Sequence, residues 1–214
     1  MIKYIFADQL DNFPILKDTM FKDRAGQFKV RHGWDVTVDE NGYEIDAYDA
    51  MNPLYAIWEA PDGTHGGSIR VLPTVGQTMV NDHFSDLAGI KIISPVIWEC
   101  TRFCISPRLS EGQRKVAASL ILSGCELGVR FGLESSIGVV YSHTLPIYRR
   151  IGWIPDVIGT CGEGVEEISA CLWPINATVK ANICRKSKIA PELVEYWFDQ
   201  SFPDNSFTPV AIAA

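Results

Sequence analysis

Residues 96–105 read Val-Ile-Trp-Glu-Cys-Thr-Arg-Phe-Cys-Ile. β-Branched and aromatic residues dominate, which predicts a strand, yet Glu99 and Arg102 sit among apolar neighbours. Charges in such surroundings need partners, so this strand both builds a sheet and carries chemistry into it. Its even spacing predicts that Cys100 and Cys104 share one face.

Upstream, Leu54 to Ala60 and Gly67 to Leu72 are β-branched or apolar runs joined by Pro61-Asp62-Gly63-Thr64-His65-Gly66. Asp-Gly and Gly-Gly are turn chemistry, so the two runs form an antiparallel hairpin. Met1 to Phe6 reads as a strand, and Asp11 to Arg24 as a helix with Pro14 in its first turn. Downstream, Ser110-Glu111-Gly112-Gln113 has the form of a capping box before an apolar stripe at helical spacing, stopped by Gly132. Gly124 and Gly128 on that stripe have two readings: close approach to the sheet or a ligand, or loose packing. Ser136 to Tyr141 is a further strand and Thr144 to Ile151 a short helix ending at Gly152. Val165 to Trp173 and Ala177 to Cys184 read as late strands, and Ala190 to Gln200 as a terminal helix. The order predicts an α+β fold, with helices laid across a largely antiparallel sheet. Ala25 to Pro53 and Pro73 to Pro95 follow no period, and long irregular stretches in a compact domain usually carry function.

The chain has 214 residues, which predicts a single domain spanning 1–214. With 19 Lys+Arg against 26 Asp+Glu and a net charge of −7, it offers no general basic field for nucleic acid. No apolar run is long enough for a membrane span, and Met1 to Ala7 lacks the pattern of a secretory signal, so the expected location is the cytoplasm. The 6 cysteines are accordingly expected as thiols rather than bridges, and no Cys/His set completes a zinc site. Phosphate-loop, dinucleotide, zincin and hydrolase-elbow motifs are missing from the sequence. His32, His65, His83 and His143 are dispersed; three or all four are expected at the surface or in loops, none in a triad-like setting.

Arg24, Phe28, Trp34, Asp46 and Asp49 crowd the first irregular segment, and the charged strands add Arg70, Glu99 and Arg102. Such types suit a small zwitterionic cation: arginine forks a carboxylate, aromatic faces attract a positive centre, and carboxylates balance it. Unrelated loop salt bridges are the plain alternative.

Arg24, Phe28 and Trp34 at these spacings, Asp46 and Asp49 three apart, Arg70 on the second hairpin strand, Phe84 in the following loop, and Glu99-Cys100-Thr101-Arg102-Phe103 closely resemble the acyl-homoserine-lactone synthases. These are the bacterial quorum-sensing autoinducer synthases. The resemblance is strong over about the first half of the chain and weaker through the long helix and Gly152-Trp153; the last part adds little. It implies a GCN5-related N-acetyltransferase-like three-layer α/β/α fold, with a mostly antiparallel mixed sheet split into a V. It further implies two substrates, S-adenosylmethionine and an acyl thioester on acyl carrier protein or coenzyme A, with no cofactor or metal. The products are an N-acyl-homoserine lactone, methylthioadenosine and the freed carrier.

Under that resemblance Glu99 is the general base for the α-amine of S-adenosylmethionine. Apolar neighbours raise its pKa while Arg70 or Arg102 lowers it, and a structural ion pair with Arg102 is its other reading. Backbone N–H groups near Arg102 and Phe103 would stabilise the oxyanion. Phe28 and Trp34 would shape the folded substrate, and Arg24, Asp46 and Asp49 would hold the N-terminal flap, some touching substrate and others bridging to Arg70. Arg149 and Arg150 would dock the acidic carrier, extended by Lys180, Arg185, Lys186 and Lys188. The acyl tail would run between the long helix and Gly138 to Ser142, with a lean towards medium or long chains. A monomer is expected. The rivals are an N-acyltransferase of the same fold acting on another amine and a non-catalytic module binding an acyl or adenosyl ligand.

Overall fold

The computed structural model describes residues 1–203; positions 204–214 of the expected domain lie outside the described residues. Strands β1 (Ile2–Phe6), β2 (Leu54–Glu59), β3 (His65–Pro73), β4 (Ile97–Ile105), β5 (Ser135–Tyr141), β6 (Asp156–Cys161) and β7 (Ile168–Pro174) form one sheet in the order β1-β2-β3-β4-β5-β7-β6. Neighbours are antiparallel except β4 and β5, which are parallel.

Strands covered on both faces read as continuous apolar runs, and β2 shows why. Its Leu54 and Ala56 enter a core under α4 (Gln113–Phe131), α5 (Leu145–Ile151), α6 (Ala177–Ser187) and α7 (Pro191–Ser201). Its Tyr55 and Ile57 enter a second core under α1 (Pro14–Ala25), with Leu16, Met20 and Phe21. Two short helices, α2 (Met79–His83) and α3 (Ser85–Ala88), continue that second layer over β5 and β7 through Val80, Ala88, Ile137 and Ala170. The result is the three-layer arrangement that the family resemblance implies.

The split lies between β4 and β5. They pair only at Ile97↔Ser135, Trp98↔Ser136 and Glu99↔Ile137, after which each strand runs on without the other. Gly138 stands at the parting: a Cβ there would lie 2.9 Å from the Cys100 carbonyl oxygen.

Several local expectations are corrected. Ala177 to Cys184 is helical, not a strand: Asn176 accepts from the Val179 N–H as an N-cap, and Ile183 and Cys184 bury one face. The strand missed instead is β6, an edge strand whose exposed residues give no alternating apolar signal. α4 starts from Gly112 in the left-handed region at φ 77°, with no side-chain cap, so Ser110 and Gln113 make no capping box. The capping box lies at Asp46, which accepts from the Tyr48 and Asp49 N–H groups while Asp49 accepts from the Asp46 N–H. Both irregular segments contain short helices: a π-helical turn at Gly26–Arg31, a 3-10 turn at Ala47–Met51, and α2 with α3.

Candidate active site

The strand that carries Glu99 and Arg102 is not regular. Ser68 pairs with Cys104 but Arg70 with Thr101, so β4 holds one extra residue, and Arg102 takes a left-handed φ of 52°. This is a β-bulge, and it reverses the alternation of side chains beyond it. Trp98, Cys100, Phe103 and Ile105 pack on the α4 side. On the other side Glu99 meets α2, Arg102 meets the first irregular segment, and Thr101 accepts from Arg70 of β3. Glu99 and Arg102, three apart, would oppose each other in a flat strand; here they share a face. The same bulge separates Cys100 from Cys104, which lies near Asp23, Arg24 and Glu44, so the expectation that the two thiols share a face does not hold. All 6 cysteines are free.

On this face three arginines interlock with three carboxylates. Arg24 forks Asp49 at 2.9 Å and 2.9 Å and reaches Glu44 at 2.6 Å. Arg70 binds Asp46 at 2.5 Å and 3.0 Å, lies 2.9 Å from Asp49, and donates to Thr101 Oγ1 at 3.1 Å. Arg102 reaches Asp46 at 2.6 Å and Glu44 at 3.1 Å. Arg24, Arg70 and Glu44 are essentially inaccessible, whereas the Asp46 side chain keeps 20 % of its exposure and can meet a ligand. Burial by itself would raise the Asp49 carboxyl, but Arg24 and Arg70 outweigh it and hold it well below the usual carboxylate range. Glu44 escaped the sequence reading. Its signal was parity: Glu44 and Asp46 are two apart, which in extended chain puts both on one side.

Glu99 makes no ion pair with Arg102. Its carboxylate accepts from the backbone N–H groups of Met79 at 3.0 Å and Val80 at 2.5 Å. Burial raises its pKa above the ordinary value, and those two hydrogen bonds with the Arg70 charge offset only part of the rise. α2 thus holds the carboxylate from one side.

Phe28 and Trp34 stack at 5.0 Å with 6° between rings, and the Arg102 guanidinium covers the Phe28 ring at 5.4 Å. A cavity of about 1830 Å³ is lined by Phe28, Trp34, Asp46, Phe84, Glu99 and Arg102. It continues past Gly138 to an apolar chamber under α4, where Phe103 lies. Single-ligand pockets run to about 1,000 Å³, so this one has room for two ligands at once. The sequence-predicted residues therefore fall into groups. Glu99, Arg102, Asp46, Phe28, Trp34 and Phe84 meet at the cavity, Arg24, Asp49 and Arg70 support them from beneath, and Phe103 belongs to the chamber beyond the split.

Arg149 and Arg150 are exposed in the last turn of α5, and Arg150, Lys186 and Lys188 line the cavity rim. Lys180 does not extend that patch, because it pairs with Glu126 at 2.6 Å and Glu195 at 2.7 Å.

His32, His83 and His143 are exposed as expected, but His65 is not. It stands between Asp23 at 2.7 Å and Ser68 at 3.0 Å, a triad-like order that the spacing hid because a strand and a helix supply it. All three are buried and none lines the cavity; Arg108 closes over Asp23 at 2.8 Å. Burial holds His65 below the ordinary imidazole value although Asp23 opposes it. Sealed from substrate, this group ties α1 to β3. Among the described residues no cluster of His, Cys, Asp and Glu could hold a metal, and no helix is long and apolar enough to cross a membrane.

The chain matches the autoinducer synthase family model over residues 8–182. It is 37% identical over 195 residues to an acyl-homoserine-lactone synthase of Rhizobium etli, covering 86% of this chain and 91% of the relative. The crystal structure of the acyl-homoserine-lactone synthase LasI is 26% identical, with a TM-score of 0.76, covering 87% of this chain and 95% of that one. The structure of BjaI, a coenzyme A-dependent acyl-homoserine-lactone synthase with S-adenosylmethionine and isopentyl-coenzyme A, is 19% identical, with a TM-score of 0.78 over 88% of this chain and 89% of that one, a likeness of fold. The chain belongs to the autoinducer synthase family.

Proposed function

We propose that this chain acylates the α-amine of S-adenosylmethionine from an acyl thioester and closes the product to an N-acyl-homoserine lactone. The observation that carries the reading is Glu99. It is a buried carboxylate with a raised pKa, and it faces a cavity that joins an aromatic, ionic flap on one side to an apolar chamber on the other.

The α-amine loses a proton to Glu99, directly or through one water, and its lone pair attacks the thioester carbonyl. The new N–C bond forms, the C–S bond breaks, and the carrier thiol leaves with a proton. The part of β4 beyond its last pair with β5 offers backbone N–H groups near Arg102 and Phe103 to the developing oxyanion. The substrate carboxylate then attacks its own γ-carbon, and the sulfonium sulfur takes the bonding electrons and departs as methylthioadenosine. That second step asks for a folded conformer more than for a reactive group. Phe28 and Trp34, with Arg102 behind Phe28, form a flat wall against which the sulfonium folds back. Asp46 is the cluster member open enough to meet the ammonium or ribose.

The acyl donor arrives on acyl carrier protein, whose acidic surface meets Arg149 and Arg150, with Arg185, Lys186 and Lys188 beside them; coenzyme A is the other form of donor. The enzyme works in the cytoplasm as a single-domain monomer that needs no cofactor. Purified protein given S-adenosylmethionine and acyl carrier protein thioester should yield lactone and methylthioadenosine in equal amounts by mass spectrometry. Acylation of a different amine, or no product from either carrier, would overturn the reading.

A further inference from the structure

α4 carries two glycines that the fold treats differently. A Cβ at Gly128 would lie 2.5 Å from Ile175 Cδ1 and 2.9 Å from its Cγ2, so packing against the chain that follows β7 demands glycine there. A Cβ at Gly124 would meet nothing closer than Ile69 Cδ1 at 3.4 Å and Trp153 at 3.8 Å, which are ordinary contacts. Its backbone is plain helix. Glycine is the poorest non-proline residue for a helix interior, and neither conformation nor neighbours require it at this position. What distinguishes Gly124 is that it lines the cavity, between Leu120 and Ile121 one turn before and Leu127 one turn after, which line it too.

We infer that Gly124 sets the length of acyl chain this enzyme accepts, a conclusion that rests on the acyl-transfer reading above. The chamber wall opposite α4 has little freedom to move aside. The Trp153 indole donates to the Pro174 carbonyl at 2.8 Å, and Trp173 is wedged by the Tyr148 ring at 4.9 Å and by Trp153 at 6.4 Å. A side chain at position 124 therefore takes its volume from the ligand rather than from the protein. Missing side-chain atoms at this point of the helix are the space into which the far end of an acyl chain extends. The flap, Glu99 and the ionic cluster lie across the sheet, so the amine substrate does not sense the change.

The test compares wild type with Gly124→Leu and Gly124→Ala, as the full chain, against straight-chain acyl thioesters from butanoyl to hexadecanoyl on one carrier. Gly124→Leu should move the preferred length downward. Each methylene that no longer fits should lower kcat/KM about fourfold, so that the longest chain the wild type uses well loses roughly 15-fold or more. The KM for S-adenosylmethionine should stay unchanged. Gly124→Ala has room for its methyl, should melt higher than wild type, and should shift the profile in the same direction by less. Length profiles of both variants that coincide with wild type overturn the inference while leaving the acyltransferase reading in place. Wild type that acylates nothing removes both.

Discussion

The Trp34 indole nitrogen donates to the Tyr141 hydroxyl at 2.8 Å, tying the first irregular segment to the β5 arm of the split sheet. Trp34 belongs to the flap that stacks on Phe28 above β4, while Tyr141 ends β5. Their hydrogen bond spans the opening left where β4 and β5 part, and it joins the aromatic wall of Phe28 and Trp34 to the strand that borders the apolar chamber.

Removing that bond should loosen the flap without removing its aromatic surface. Tyr141→Phe is expected to raise the KM for S-adenosylmethionine by about fivefold, the worth of one such hydrogen bond, with a smaller change in kcat. Steady-state kinetics with each substrate varied in turn checks this, and an unchanged KM would remove the bridge from the account of binding.

Glu99→Gln should lower kcat by about 10²–10⁴, the usual contribution of a general base, with near-native circular dichroism. Because burial raises the Glu99 pKa, wild-type kcat/KM should fall as pH drops through a value above the ordinary carboxylate one, and the variant should lack that limb. In the window between the ordinary and raised values the folded state binds more protons than the unfolded one, so stability declines as pH rises through it. A variant that keeps full turnover would end the assignment.

The Asp49 carboxyl, held low by Arg24 and Arg70, contributes stability that is fully present above the ordinary carboxylate value. That stability disappears as pH falls through the depressed value. Asp49→Asn leaves the buried Arg24 guanidinium short of a counter-charge, and should cost about 3–5 kcal/mol at neutral pH. It should also flatten the acid side of the stability profile. Glu44→Gln should cost a comparable amount of stability at neutral pH, because Glu44 serves Arg24 and Arg102 together. Urea melts across pH provide the measurement, and a loss under about 1 kcal/mol would mean the cluster relaxes around the missing charge.

Arg149→Glu combined with Arg150→Glu should raise the KM for carrier-bound acyl groups by about tenfold or more, increasingly so at low ionic strength, and leave the KM for S-adenosylmethionine alone. Equal effects on the two substrates would dismiss the docking role.

Gly128→Ala should destabilise the fold by about 1–3 kcal/mol, the range for overpacking a filled core, because its methyl meets Ile175. Thermal melts of this variant beside Gly124→Ala separate the two glycines directly: the first should fall and the second should rise.

Local pattern determined much of this protein. β1, the β2–β3 hairpin, α1, the body of α4 and the strand with two charges follow from periodicity and turn chemistry, because each depends on interactions between residues close in the chain. The candidate residues were legible through their resemblance to the acyl-homoserine-lactone synthases, because their side-chain types alone suit unrelated salt bridges as well as a zwitterionic cation. Tertiary structure alone decided how those side chains are aimed. Bulging at Arg102 is a property of the pairing between β3 and β4, and without it Glu99 and Arg102 would face apart. Glu44 became central only when folding brought Arg24 and Arg102 to either side of it. The seclusion of His65 with Asp23 and Ser68 required α1 to lie on β3, and the different fates of Gly124 and Gly128 required Ile175 to arrive from elsewhere in the chain. Sequence sets which groups are present and which local shapes they favour; only the closure of distant segments against one another sets their distances and their access to water, and the site's chemistry depends on those.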